Sequence, residues 1–159
     1  MKNGDFAMDR IRGFTLLELM ITLVIAAVIL GLAVPSFQNT ISRNAVKATT
    51  RDLVSTLNTA RMQSMSSRAP VTVKPAAGGW ADGWELVYSS SVEPDRTFEP
   101  SRKAKVISAA NSLLFRAEGG LTGAANTLFV CHADSSIPGR KITVSFLGKV
   151  TTAIDSSKC

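Results

Sequence analysis

In 159 residues the chain has one histidine, one tyrosine and two cysteines. That scarcity excludes several kinds of chemistry. Zinc sites use three or four ligands at short, recurrent spacings, and Cys131 and Cys159 form no Cys-x-x-Cys pair. The single imidazole, His132, lies beside Cys131 and two residues before Asp134, with no nucleophile–base–orienter pattern around it. No glycine-rich stretch follows a strand pattern and opens a helix, so a phosphate-cradling loop is not expected. Internal repeats are lacking too. These absences predict no catalytic residue, no metal and no cofactor, and they argue against an enzyme.

Long apolar runs are also scarce, because there is only one. From Phe14 to Val34 every residue except Thr15, Glu18, Thr22 and Gly31 is apolar. At about 1.5 Å per residue, a helix of that length crosses a bilayer core. A short charged leader with Lys2, Asp5, Asp9, Arg10 and Arg12 precedes it. Glu18 sits inside the run, where a carboxylate costs about 2.5–3.5 kcal/mol near a helix centre on insertion scales. A cleaved secretory signal fits poorly, since the run is too long and no small-x-small site follows.

The residues Gly13-Phe14-Thr15-Leu16-Leu17-Glu18 resemble the class III signal of type IV pilins and pseudopilins. The resemblance implies that a prepilin peptidase cuts after Gly13 and methylates the new N-terminus at Phe14. It also implies that Glu18, fifth in the mature chain, pairs with a terminal amine during filament assembly. Such a pair would offset the desolvation of the carboxylate and fix axial register. Against it stands a carboxylate that merely snorkels to the interface. Residues 1–13 are therefore read as a cleaved leader and 14–35 as a transmembrane and assembly helix.

Beyond Pro35 the helical pattern continues. Phe37, Ile41, Ala45, Val46, Leu53, Leu57, Ala60 and Ser64 recur at helical spacing, while Arg43, Lys47, Arg51, Arg61 and Arg68 supply polar faces. The expectation is one helix from Phe14 to Ser67, bent near Pro35, with 36–67 as its amphipathic continuation. Ala69-Pro70 ends it. Residues 68–159 then read as a β-rich globular domain. Its expected strands are Val71–Val73, Trp84–Tyr88, Val106–Ile107, Leu113–Phe115 and Thr127–Cys131, followed by a hairpin of Ile142–Phe146 and Val150–Ile154. Ser89–Lys105, with two prolines, reads as an exposed loop. The fold class is α+β: a long helix packed on a small antiparallel sheet domain, which the resemblance identifies as the type IV pilin fold.

The C-terminal half narrows the resemblance. Gly79-Trp80-Ala81-Asp82-Gly83-Trp84-Glu85-Leu86-Val87 and Leu114-Phe115-Arg116-Ala117-Glu118-Gly119 resemble segments of GspH/FimT-type minor pilins. Phe129-Val130-Cys131, Gly139-Arg140, Gly148-Lys149 and the terminal Cys159 are similar to the FimT-like branch. The leader and span direct the globular part outside the cytoplasm, where disulfides persist. A Cys131–Cys159 disulfide is the expected state, with two buried free thiols as the alternative. Such a bond is worth roughly 3–4 kcal/mol in the chain-entropy model.

Formal charge is +6, and after removal of the leader 15 bases face 10 acids. The FimT-like branch is associated with DNA binding through a Gly-Arg-rich C-terminal segment. Here Gly139-Arg140-Lys141 and Gly148-Lys149 resemble it, with Lys158 beside Cys159; Arg102, Lys103, Lys105 and Arg116 extend the basic character. Lysine keeps the charge but lacks the bidentate fork. Clustered cations contact phosphates without reading sequence.

The resemblance thus implies a minor pilin of the bacterial inner membrane with a periplasmic domain, built into a pilus. Its partners would be other pilins, the prepilin peptidase and double-stranded DNA taken up in natural transformation. Two alternatives stay open: a minor pseudopilin of type II secretion, and a priming subunit without a ligand.

Overall fold

A computed structural model describes residues 14–89, 94–133 and 136–159, with the side chains of 34–36 outside the description. The chain divides into two compact units, Met1–Gln38 and Asn39–Cys159. The first helix, α1, spans Leu16–Ser67 and contributes to both. It continues through Pro35, as expected; the expected bend there lies outside the described residues, as do the leader and the cleavage junction at Gly13. α1 ends where Arg68 takes a left-handed conformation (φ 51°) just before Pro70.

In the first unit no described side chain is buried. Leu16, Leu23, Leu30 and Leu32 are all more than 60% exposed. In the second unit the same helix acquires a buried stripe. Val46, Thr49, Thr50, Leu53, Thr56, Leu57, Ala60 and Ser64 are buried and follow the i, i+3, i+4, i+7 pattern, which places them on one face. Full burial of Leu53 and Leu57 contributes about 1.5–3 kcal/mol each. The hydroxyls of Thr50, Thr56 and Ser64 in that stripe donate within the helix. Thr50 Oγ1 donates to the Val46 carbonyl at 2.6 Å, and Thr56 Oγ1 donates to that of Asp52 at 2.8 Å.

Among the described residues eight strands follow: β1 (Val71–Ala76), β2 (Gly79–Tyr88), β3 (Arg96–Phe98), β4 (Ala104–Ser108), β5 (Leu113–Phe115), β6 (Asn126–His132), β7 (Arg140–Val144) and β8 (Val150–Ile154). All pairings are antiparallel. The α+β class is as expected, but the single small sheet becomes two four-stranded ones, β3-β2-β1-β5 and β4-β6-β7-β8. Both contribute to one core with α1. Val73, Trp84, Leu86 and Phe115 come from the first sheet, and Leu128, Val130, Ile142 and Val144 from the second.

Polar ties reinforce that core. Trp84 Nε1 donates to Thr56 Oγ1 at 3.1 Å, the Ser101 amide donates to Thr49 Oγ1 at 2.9 Å, and Arg61 Nε donates to the Gly119 carbonyl at 3.1 Å. Trp84 also stacks on Phe98 of β3, with ring centroids 6.1 Å apart.

Three expectations change. The stretch 89–105 is not all loop, since Arg96–Phe98 pairs with Leu86–Trp84 and Ala104 opens β4; residues 90–93 lie outside the description. β1 continues through Pro75 and β2 starts at Gly79, leaving only Ala77-Gly78 between them. Phe146 is not in a strand. It lies in the β7–β8 connection and is half exposed, because the hairpin closes around it: the Ser145 amide donates to the Lys149 carbonyl (2.9 Å) and the Gly148 amide to the Ser145 carbonyl (2.8 Å).

Candidate functional site

The apolar helix carries one of the candidate features. Thr15 directly precedes α1, and its Oγ1 accepts the Glu18 amide at 3.2 Å. Thr15-Leu16-Leu17-Glu18 therefore has the form of a capping box, in which an N-cap hydroxyl satisfies an otherwise orphaned amide of the first turn. Glu18 is the acid of that turn, where the helix dipole favours negative charge. The Thr-x-x-Glu spacing is legible in the sequence, where it overlaps the Gly13-Phe14 motif. It supplies a local reason for an acid at this position, additional to pairing with a terminal amine. Phe14, immediately before, is exposed.

The second candidate is the set Arg116, Arg140, Lys141, Lys149 and Lys158. The structure distributes these cations over three places rather than one. Arg140 and Lys141 are consecutive on β7, so their side chains leave opposite faces of the sheet. Arg140 lies on the face of Ile142 and Val144, which are buried toward α1, and stands opposite Val130 and Ile154. There it lines a groove with Lys47, Thr50, Arg51 and Val54 of α1 and Thr152 of β8.

Lys141 is on the outer face, opposite Phe129 and Ala153, in an ion pair with Asp155 (3.8 Å). Lys105 is on the same face, opposite Cys131. The Asp155 carboxyl is held below its ordinary range, first by the Ser157 amide (2.8 Å) and then by the Ser157 side chain; desolvation opposes them, and the charge of Lys141 adds the smallest lowering effect.

Lys149 and Arg116 flank the β7–β8 connection. The Arg116 guanidinium lies over the Phe146 ring, 5.1 Å from its centroid, a cation–π geometry. The Leu121 amide donates to the Phe146 carbonyl at 2.8 Å, tying the 116–121 turn to the hairpin. Gly148 has φ 75°, and a Cβ there would strike the Gly119 carbonyl, so only glycine fits.

Lys158 is exposed in the C-terminal segment. The Cys131–Cys159 disulfide anchors that segment, closing a separation of 28 residues with Cα atoms 5.4 Å apart. The Asp155 amide donates to the Gly139 carbonyl (3.1 Å), and a Cβ on Gly139 would strike the Cys159 sulfur. Glycine before Arg140 thus lets the tail cross the start of β7.

Arg102, Lys103 and Lys105 are exposed around the start of β4. Trp80 and Trp84 are buried, with Trp80 Nε1 donating to the Ala110 carbonyl at 2.6 Å, so neither indole offers a face to a base. His132 is buried at the end of β6, and Asp134 lies outside the described residues. Among the described residues there is no cluster of three or more metal-ligating side chains.

The cations that sequence reasoning passed over are Lys47 and Arg51, read only as a polar helix face. Their i, i+4 spacing was legible. Their approach to Arg140 depends on how α1 lies across the second sheet.

Comparison with curated protein sequences finds no match. The family model for the prokaryotic N-terminal methylation motif matches residues 8–34. Among solved structures the chain is similar to the type IV minor pilin FimU of Pseudomonas aeruginosa, at 22% identity and a TM-score of 0.59, covering 72% of this chain and 92% of that one. It is also similar to the minor pseudopilin EpsH of the type 2 secretion system of Vibrio cholerae, at 10% identity and a TM-score of 0.54, covering 69% and 96%. These likenesses show the fold: a long N-terminal helix with antiparallel sheets. The family model described as type II transport protein GspH matches residues 49–148, which run from Thr49 in the buried stripe of α1 through β1 to β7 and end at the Gly148 turn. With the methylation motif ahead of it, the chain belongs to the GspH family of the type IV pilin and pseudopilin superfamily.

Proposed function

We propose that this protein is a minor pilin whose basic C-terminal surface binds double-stranded DNA without reading its sequence, in the service of DNA uptake. On this reading it is not an enzyme. It is made with residues 1–13 as a leader, cut after Gly13 and methylated at Phe14. The helix 14–35 holds it in the inner membrane until assembly, where Glu18 pairs with a terminal amine. The helix 36–67 and the domain 68–159 face the periplasm, and then the cell surface.

The observation that carries the DNA reading is the state of the cations. Of the five candidates only Lys141 makes an ion pair among the described residues. Arg140, Lys149 and Lys158 keep their charge unopposed, in a chain of net charge +6. Unopposed surface cations release counterions from a phosphate backbone, so binding of this kind weakens steeply as salt rises.

The test is DNA retardation by the full chain in detergent at low and moderate salt. The reading requires binding at low salt that falls as salt rises and does not depend on sequence. Absence of binding at low salt would remove it.

A second reading has its own support. The matching family model is described as a type II transport protein, and the fold is equally that of a minor pseudopilin. On that reading the partners are other pseudopilins, and loss of the gene abolishes protein secretion while transformation continues. A priming subunit without a ligand would be needed for filament formation and would retard no DNA.

A further inference from the structure

The groove between α1 and the β7–β8 pair, about 380 Å3 in volume, is lined by Lys47, Thr50, Arg51, Val54, Arg140 and Thr152. Every charged residue lining it is a cation. None of the three side chains makes a hydrogen bond or ion pair among the described residues. The acid nearest to β8 in sequence, Asp155, is engaged on the outer face by Lys141 and the Ser157 amide. Lys47 and Arg51 lie one helical turn apart, four residues from each other, and so share a helix face. Arg140 reaches the groove from the sheet.

Three unpaired like charges turned toward one concavity repel each other. An anion placed between them converts that repulsion into attraction. A planar carboxylate is satisfied by the fork of one arginine. Cations arriving from two sides suit a tetrahedral anion, which presents oxygens in both directions.

We infer that this groove is a phosphate site, with Arg140 gripping the phosphate from the sheet and Lys47 and Arg51 closing on it from α1. It deepens the DNA reading, on which the source of the phosphate rests: the groove seats a backbone phosphate of the bound duplex. The helix face is then part of the DNA surface, and Lys141, on the opposite side of the sheet, is not.

The experiment has two arms, both with the full chain in detergent. In the first, thermal stability is followed with inorganic phosphate and with chloride at matched ionic strength. The wild type should melt higher in phosphate than in chloride, and Lys47→Ala/Arg51→Ala should lose that difference. Alanine is the best helix former and both sites are exposed, so this variant keeps its fold; equal melting in chloride verifies that. An equal phosphate effect in both proteins overturns the site.

In the second arm, affinity for a short duplex is measured against salt. The double variant should bind about tenfold more weakly, with a log–log salt slope shallower by about one. Lys141→Ala should stay within about twofold. Unchanged affinity and slope in the double variant overturn the assignment to DNA even if phosphate binds. If the wild type is stabilised by phosphate yet retards no duplex, the DNA reading fails and the phosphate site stands.

Discussion

Two stretches of one helix, 16–33 and 39–67, meet opposite fates. The first is almost uniformly apolar, and all its side chains are exposed in the single chain. The second is less apolar overall, yet it buries eight residues along one stripe and anchors the whole core. Hydrophobicity therefore does not decide which stretch packs within the chain; periodicity does. An amphipathic stripe needs one partner surface, and two sheets of the same chain supply it. A helix apolar all round needs surroundings that are apolar all round, such as lipid or a bundle of like helices. The second stretch serves the stability of the domain, and the first is suited to insertion and assembly.

Substitutions that damage one stretch and spare the other test this contrast. The largest effect on stability is expected at Trp84, which is fully buried, bonded to Thr56 of α1 and stacked on Phe98. Trp84→Ala should lower unfolding stability by about 3–5 kcal/mol in denaturant titration and leave membrane fractionation unchanged. Next comes Cys159→Ser, expected to cost about 2–4 kcal/mol; reducing agent should lower the wild type to the same melting temperature and have no effect on the variant.

Asp155→Asn should have a smaller effect, with a definite pH dependence. The folded-state carboxyl is depressed, so its contribution is present above the ordinary carboxylate range and disappears as pH falls through the lowered value. Melting curves of wild type and variant should therefore differ at neutral pH and converge in acid. A gap that widened in acid would contradict the assignment of Ser157 and Lys141 as its stabilisers. Glu18→Ala should not change the melting of the globular unit at all, yet it should sharply reduce the subunit recovered in sheared filaments. Wild-type recovery would show that the acid serves the helix start alone.

Much of this was legible in the sequence because it is local. The helical repeat from Val46 to Ser64, the stop at Pro70 and the alternation around Leu86, Val130 and Ile142 all follow from backbone periodicity. β3 escaped because Arg96-Thr97-Phe98 is a three-residue edge strand with only one apolar side chain. Division into two sheets could not be read from strands that look alike. The site was legible in its residue types more than in its grouping. Period-two geometry already separates Arg140 from Lys141, a consequence the charge count concealed. That Lys47 and Arg51 join Arg140 is a tertiary fact, set by α1 lying across the second sheet.

On the proposed reading, the exposed stretch 14–33 serves a processed filament subunit. Mass spectrometry of sheared, washed filaments tests it most directly. The expected result is a chain that begins at an N-methylated Phe14 and retains the Cys131–Cys159 disulfide. A chain found only in the membrane fraction with residues 1–13 still attached would contradict it.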